Sequence, residues 1–294
     1  MCGIVGLFLK DRALEPQLGA LLSEMLVTMT DRGPDSAGIA VYGAPAAGRA
    51  RLTVQSATPG AAFPALAALA AEHGAEMVEK DTHAVLTCPA DALPALRAAV
   101  EAVPALRIMS AGEAMEVYKE TGLPAAVVDR FGIRGMAGSH GVGHTRMATE
   151  SAVTTLGAHP FSTGADQCLV HNGSLSNHNN LRRELVREGM RFETENDSEV
   201  AAAYLTARMA EGRNLGEALE GALEDLDGFY TFVVGTKSGF GVLRDPIACK
   251  PAVMAETEAY VAFGSEYRAL VGLPGIDLAK VWEPEPATVY FWER

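Results

Sequence analysis

Short apolar runs rich in β-formers stand at both ends of this chain, and helical periods fill the space between them. "GIVGLFL" (3–9) reads as a buried strand and "IAVYG" (39–43) as the next, while the last third gives "FYTFVVG", "FGVLRDP", "AYVAFGS" and "ATVYFW". Leu18, Leu21, Leu22, Met25, Leu26 and Met29 recur at helical spacing, and "DRGPDSAG" (31–38) ends that helix as a Gly/Pro loop. "NLRRELVREGM" (180–190), "DSEVAAAYLTARMAEG" (197–212) and "LGEALEGALEDLDG" (215–228) read as helices, the last with Leu215, Leu219, Leu223 and Leu226 on its apolar side. "QCLVHNGSLSNH" (167–178) reads as a strand running into a turn. Each element has one apolar side to cover, so strands at both ends with helices between them fit sheets stacked under helix layers.

The character changes over about 44–138. "PALAALAAEHG" and "ADALPALRAAVEAVP" look like small alanine-rich helices, "HAVLTC" and "LRIMS" like strands, and "GEAMEVYKETG" like a third helix. This stretch is expected to be a compact α/β insert within a domain spanning 1–294.

With 294 residues the chain is ample for a real core. A net charge of −13 argues against nucleic acid or an anionic membrane as main partner and favours small-molecule chemistry. Cysteines at 2, 88, 168 and 249 have neither zinc-site nor disulfide-framework spacing, so no metal is expected. Cys88, Cys168 and Cys249 are expected to be buried small hydrophobes. No apolar stretch reaches membrane-span length and the start lacks a signal peptide's basic and apolar regions, so the expected location is the cytoplasm.

Four places carry chemistry. If Met1 is removed, Cys2 bears a thiol and a free amine on one α-carbon. Free cysteine has a pKa of about 8.5 and an α-amine titrates near 7.7–8.0, so the amine can take the thiol proton, directly or through water. Arg146, in "HTRMATES", offers a planar fork suited to a carboxylate; a surface ion pair is the plainer use. Asn172-Gly173 most often means a tight turn, yet it also sets a side-chain amide beside an unhindered backbone N–H, two donors for one oxyanion. Asn196-x-x-Glu199 fits a capping box, and Asp197 between them can hold an ammonium group. Together these parts recognise an α-amino acid and attack an amide on its side chain; glutamine fits.

The segments "MCGIVG", "RGPDSAG", "GHTRMAT", "AHPF", "VHNGSLSNHNNLR" and "ENDSEV", in that order, resemble the class II glutamine amidotransferases, the family with an N-terminal nucleophile. "LRDPIACKPAV" and "AYVAFGSEYRAL" resemble its later strand pair. The resemblance implies an α+β fold, a four-layer αββα sandwich. It implies Cys2 as nucleophile with its own amine as base, Asn172 and Gly173 as oxyanion hole, and Arg146 and Asp197 holding the glutamine α-carboxylate and α-ammonium. Arg32 would help close the glutamine site, Thr149 would shape the pocket, and His171 would be structural. Gly157 departs from the asparagine common before "AHP", and "MATES" lacks the aromatic and histidine of sugar-synthesising relatives, which leaves the acceptor open.

No P-loop or dinucleotide fingerprint is present, so the ammonia acceptor is expected on another polypeptide. Within the family the chain, with its "YKETGLPAAVVDRFG" segment, resembles the amidotransferase subunits of split glutamate-synthase-type enzymes, in particular N-methylglutamate synthase. That resemblance implies a partner synthase subunit carrying FMN and an iron–sulfur cluster, a third glycine-rich β-helix subunit, and no cofactor on this chain. The insert would either dock a partner or elaborate the fold. The rival functions are a stand-alone N-terminal-nucleophile amide hydrolase and, with Met1 retained, a non-catalytic structural or regulatory subunit.

Overall fold

The computed structural model describes residues 2–148 and 152–294. Its frame is two sheets face to face. The seven-stranded sheet is built from β1 (Gly3–Leu9), β2 (Ser36–Tyr42), β7 (Met115–Thr121), β8 (His140–Arg146), β13 (Val253–Glu256), β14 (Tyr260–Gly264) and β15 (Lys280–Trp282), in the order β15-β13-β14-β1-β8-β2-β7. The five-stranded sheet runs β16-β12-β11-β10-β9, from β9 (Phe161–Gly164), β10 (Gln167–Leu175), β11 (Gly228–Gly235), β12 (Gly239–Arg244) and β16 (Thr288–Glu293).

Period-two alternation assigns the faces. Along β1, Val5, Leu7 and Leu9 pack under α1 (Leu18–Thr28) and α4 (Pro124–Arg130), while Ile4 and Phe8 point into the space between the sheets. There they meet Ala40, Tyr42 and Val142 from their own sheet, and Val170, Val233, Phe240 and Val242 from the other. The outer face of the five-stranded sheet, with Leu169, Phe232 and Leu243, is covered by α6 (Asp197–Ala210) and α7 (Leu215–Asp225), flanked by α5 (His178–Arg187). The layers are therefore helix, sheet, sheet, helix, the expected αββα sandwich. Each fully buried Leu, Val or Phe in these layers contributes about 1.5–3 kcal/mol of transfer free energy.

The insert is its own two-layer unit. Strands β3 (Arg49–Gln55), β4 (Glu76–Lys80), β5 (His83–Pro89) and β6 (Arg107–Gly112) form a sheet in the order β4-β5-β3-β6. Helices α2 (Pro59–Glu72) and α3 (Leu93–Glu101) cover one face through Leu52, Val54, Leu86, Phe63, Leu66 and Leu96. Its opposite face, carrying His83 and Val85, packs on Tyr118 and Phe131 of the sandwich. Two expectations need correcting. "GEAMEVYKETG" is not a third helix: β7 pairs with β2 from Ser36↔Thr121 to Tyr42↔Met115 and belongs to the main sheet. The insert's sheet accordingly ends at Gly112, and residues after it return to the sandwich well before 138. Asp166 pins the junction, its carboxylate accepting the N–H groups of Glu113, Ala114 and Met115 at 2.7–2.9 Å. Among the described residues no helix is long and apolar enough to cross a membrane.

Candidate active site

Cys2 immediately precedes β1. Ile4 anchors the start of that strand through two hydrogen bonds to Ser265, N–H to Oγ at 2.9 Å and carbonyl from N–H at 2.9 Å. Alternation extended back one residue turns Cys2 the same way as Ile4, into the space between the sheets. The pairing Gly3↔Thr145 brings Cys2 beside Arg146, the last residue of β8. The Cys2 carbonyl accepts from Arg32 Nε at 2.9 Å and from Asn172 Nδ2 at 3.3 Å. Three sequence-predicted residues thus converge on residue 2 from three directions, and its thiol is free and half-buried.

Arg32 closes a short 3-10 turn and is buried. Its Nη1 pairs with Glu266 Oε1 at 2.7 Å, and Arg268 Nε lies 2.7 Å from the other carboxylate oxygen. The Arg32 hydrogen bond, helped by Arg268, holds the Glu266 carboxyl below the usual carboxylate range. Gly33 has no room for a side chain, because a Cβ there would sit 2.5 Å from the Arg146 backbone nitrogen. Asp35 fastens the same loop: its N–H donates to the Arg146 carbonyl at 3.1 Å and its Oδ2 accepts the Ala148 N–H at 2.8 Å. The "DRGPDSAG" loop is strapped to the end of β8 and to residue 2.

Arg146 shares the inter-sheet face of β8 with His140, Val142 and His144. Its Nη1 reaches the Ala152 carbonyl at 3.5 Å, and a Cβ on Gly157 would stand 3.2 Å from that nitrogen. The missing side chain at 157 therefore leaves space for the guanidinium. Thr149 lies outside the described residues.

Asn172 and Gly173 are not a turn. They sit within β10, opposite Thr231 and Tyr230 of β11. Gly173 has φ +147°, and a Cβ there would come within 2.0 Å of the Phe229 carbonyl oxygen, so the close strand approach requires glycine. Alternation sends Cys168, Val170 and Asn172 between the sheets and Leu169, His171 and Leu175 toward the helices.

Asp197 opens α6 on the helix side. Its Oδ2 accepts the Leu175 N–H at 2.9 Å, joining it to the far end of the strand that carries Asn172. Asn196 caps the helix by accepting the Ser198 N–H at 2.9 Å. The expected capping box is not formed, because the Glu199 carboxylate instead accepts from the N–H groups of Glu193 and Thr194 and the Thr194 hydroxyl. His171 Nδ1 lies 2.8 Å from Ser198 Oγ and 3.8 Å from Asp197 Oδ1. Burial lowers its pKa against the pull of Asp197, so a neutral, structural His171 fits. His144 Nε2 lies 3.1 Å from the His171 carbonyl oxygen and its ring stacks on His159 at 4.1 Å. Burial drives His144 down to about 3 and His159 well below its ordinary value.

Cys88 and Cys168 are buried as expected, and burial raises the Cys168 thiol to about 12. Cys249 is exposed, contrary to expectation, in the irregular stretch after β12. Sequence reasoning also passed over Ser265 and Glu266. Their signal, Ser-Glu directly after a strand, is visible in "GSEYRAL", but their partners lie 261 and 234 residues away. A cleft of about 690 Å³ opens elsewhere, between the insert's Arg107–Ala111 and the Phe161–Gly164 edge; Glu193, Thr194 and Glu199 line it, and Cys2, Arg32, Arg146, Asn172, Gly173 and Asp197 do not.

Comparison with known proteins decides the family. The chain is 71% identical over 297 residues to the glutamine amidotransferase-like protein GlxB of Rhizobium meliloti (strain 1021), covering 100% of this chain and 99% of that one. The chain belongs to the class II glutamine amidotransferases. A glutamine amidotransferase domain model matches residues 144–272 of this amidotransferase, and a putative glutamine amidotransferase of Methanothermobacter thermautotrophicus is 32% identical over the whole of both chains. Among solved structures, the glutamine phosphoribosylpyrophosphate amidotransferase of B. subtilis superposes with a TM-score of 0.63 at 18% identity. That match covers 99% of this chain and 47% of the larger protein, and it shows the shared sandwich fold.

Proposed function

We propose that this amidotransferase hydrolyses the side-chain amide of L-glutamine with the Cys2 thiol, after removal of Met1, and supplies the ammonia to a partner synthase. The α-amine of Cys2 takes the thiol proton, and the sulfur attacks the amide carbon. Asn172 Nδ2 and the Gly173 N–H receive the negative charge that develops on the amide oxygen. Collapse expels ammonia with the proton returned by the amine, and water then cleaves the thioester to glutamate. Arg146 pairs with the substrate α-carboxylate and Asp197 with its α-ammonium. The observation that carries this reading is the 3.3 Å contact between Asn172 Nδ2 and the Cys2 carbonyl, which brings an oxyanion donor to the residue bearing the thiol.

The acceptor is proposed to be a synthase of the glutamate-synthase or N-methylglutamate-synthase type, holding FMN and an iron–sulfur cluster, with a glycine-rich β-helix subunit as third partner. The support is the resemblance of the chain's "YKETGLPAAVVDRFG" segment, here the end of β7 and α4. Glutamine turnover, measured with and without co-purifying chains and paired with intact-mass spectrometry, tests both parts. Turnover by chains lacking Met1 is expected, rising in the complex. No turnover in either state, or active protein that keeps Met1, overturns the mechanism.

A further inference from the structure

We propose that Glu266 is a positioning residue for the nucleophile, acting through Arg32 on the main chain of Cys2. The proposal rests on the reading of Cys2 as the attacking group. With Met1 removed, as that reading requires, residue 2 becomes the terminus and lateral contacts set its orientation. Two side-chain donors reach its carbonyl, Arg32 Nε and Asn172 Nδ2. In the proposed reaction Asn172 turns to the substrate oxygen, so Arg32 is the contact that can persist throughout.

Arg32 is itself held on one side only. Its Nη1 is on Glu266, its Nε on Cys2, and its Nη2 is buried with no hydrogen-bond partner among the described residues. Removing the carboxylate would leave a buried guanidinium whose one remaining hydrogen-bond partner among the described residues is the carbonyl it is meant to place. Glu266 is well suited to the task because it is placed by the strand that clasps β1. Ser265, its neighbour, exchanges two hydrogen bonds with Ile4, so β14 fixes residue 4 directly and residue 2 through Glu266 and Arg32. Arg268 Nε on the second oxygen keeps the carboxylate oriented, and Arg268 Nη1 in turn reaches Asp31 at 3.3 Å, next to Arg32 in the chain. The unit is a closed loop of charges tying the end of β14 to the turn that faces residue 2.

The test compares Glu266→Ala, Glu266→Gln and, as control, Glu24→Gln, which breaks an exposed ion pair with Arg134 on α1. Rates are expressed per folded chain lacking Met1, from intact mass and thermal midpoint. The second readout is the ratio of iodoacetamide labelling at Cys2 to that at exposed Cys249 in the same molecule, which needs no glutamine turnover. Glu266→Ala is expected to lower kcat about 10–100-fold with KM within about twofold, because small displacements of a reacting group cost that much. The labelling ratio falls with it. Glu266→Gln, which keeps an acceptor at the same reach, falls between Ala and wild type, and Glu24→Gln matches wild type. An unchanged kcat and labelling ratio in Glu266→Ala overturns the proposal, as does a rise in KM at constant kcat. If wild type turns over no glutamine while Glu266→Ala still lowers the ratio, the positioning role stands and the glutaminase reading falls. If the ratio is also unmoved, both fall.

Discussion

The site end of the sandwich and the insert are built from the same parts, a sheet under helices, yet they fill their interiors differently. Beneath α2 and α3 the insert is closed with aliphatic and alanine side chains, Ala50, Leu52, Val54, Ala62, Leu66 and Ala70 among them. Between the two large sheets the filling changes along its length. Around Phe240 and Val233 it is apolar, whereas near Cys2 it becomes His144, His159, Arg146 and Asn172, all buried. Burying such groups opposes folding unless each is satisfied, and some are not: both ring nitrogens of His159 and Nδ1 of His144 lack partners among the described residues. The helix-covered face of the insert sheet avoids this, whereas its other face buries Thr53 Oγ1 and His83 Nε2 without partners among the described residues.

If that division is real, substitutions at the two places must fail in different ways. Cys2→Ser should produce the largest effect, a loss of about 10⁴-fold or more in glutamine turnover, as expected for a removed nucleophile; a glutaminase assay on chains of verified mass reads it. A glutamine-like diazo-ketone should label Cys2 and spare exposed Cys249. Asn172→Ala should follow, lowering kcat by about 10²–10³ with little change in KM. Leu52→Ala, at the centre of the insert, should cost about 2–5 kcal/mol of stability. Chemical denaturation would show that loss, and turnover per folded chain should stay at the wild-type value. A turnover loss there would show that the insert shapes the site. Arg146→Ala should weaken glutamine binding by about 1.5–3 kcal/mol, seen as a higher KM.

The same division governs what could be read from the residues alone. β1 was legible because "GIVGLFL" is apolar on both faces, as a strand between a helix layer and a second sheet must be. β7 was misread, since Glu, Ala, Met and Lys favour a helix locally and only pairing with β2 overrides them. Asn172-Gly173 looks like a turn by itself; its place within β10 depends on β11, some sixty residues on. Cys2, Arg146 and Asp197 stand out in the sequence by residue type in a fixed order, and the structure sets Cys2 beside Arg146 and ties Asp197 to the strand that carries Asn172. Glu266 was not, because its meaning is a contact with Arg32 across 234 residues of sequence and an ordinary Glu has no signature for that. Cys249 was misjudged by composition, which gives an average for cysteine and no information about a particular loop.

The buried imidazoles allow the smallest but most discriminating test. His144 in the folded chain titrates at about 3, and His159 well below 6.5, both because burial disfavours the charged ring. In the unfolded chain each titrates near 6.5. The unfolded state therefore binds more protons at acid pH, so stability is fully present above pH about 6.5 and drains away as pH falls toward 3. Each such histidine contributes a slope of about 1 kcal/mol per pH unit in that window. His159→Phe removes one titrating ring that makes no hydrogen bond among the described residues and keeps an aromatic in contact with Phe161. Denaturation midpoints at pH 7 and pH 5 should lie closer together in His159→Phe than in wild type, while Leu52→Ala should lower both midpoints equally. Equal pH slopes in wild type and His159→Phe would show that His159 takes up its proton in the folded chain as readily as in the unfolded one, and the contrast between the polar site end and the apolar helix-covered face of the insert would lose its energetic basis.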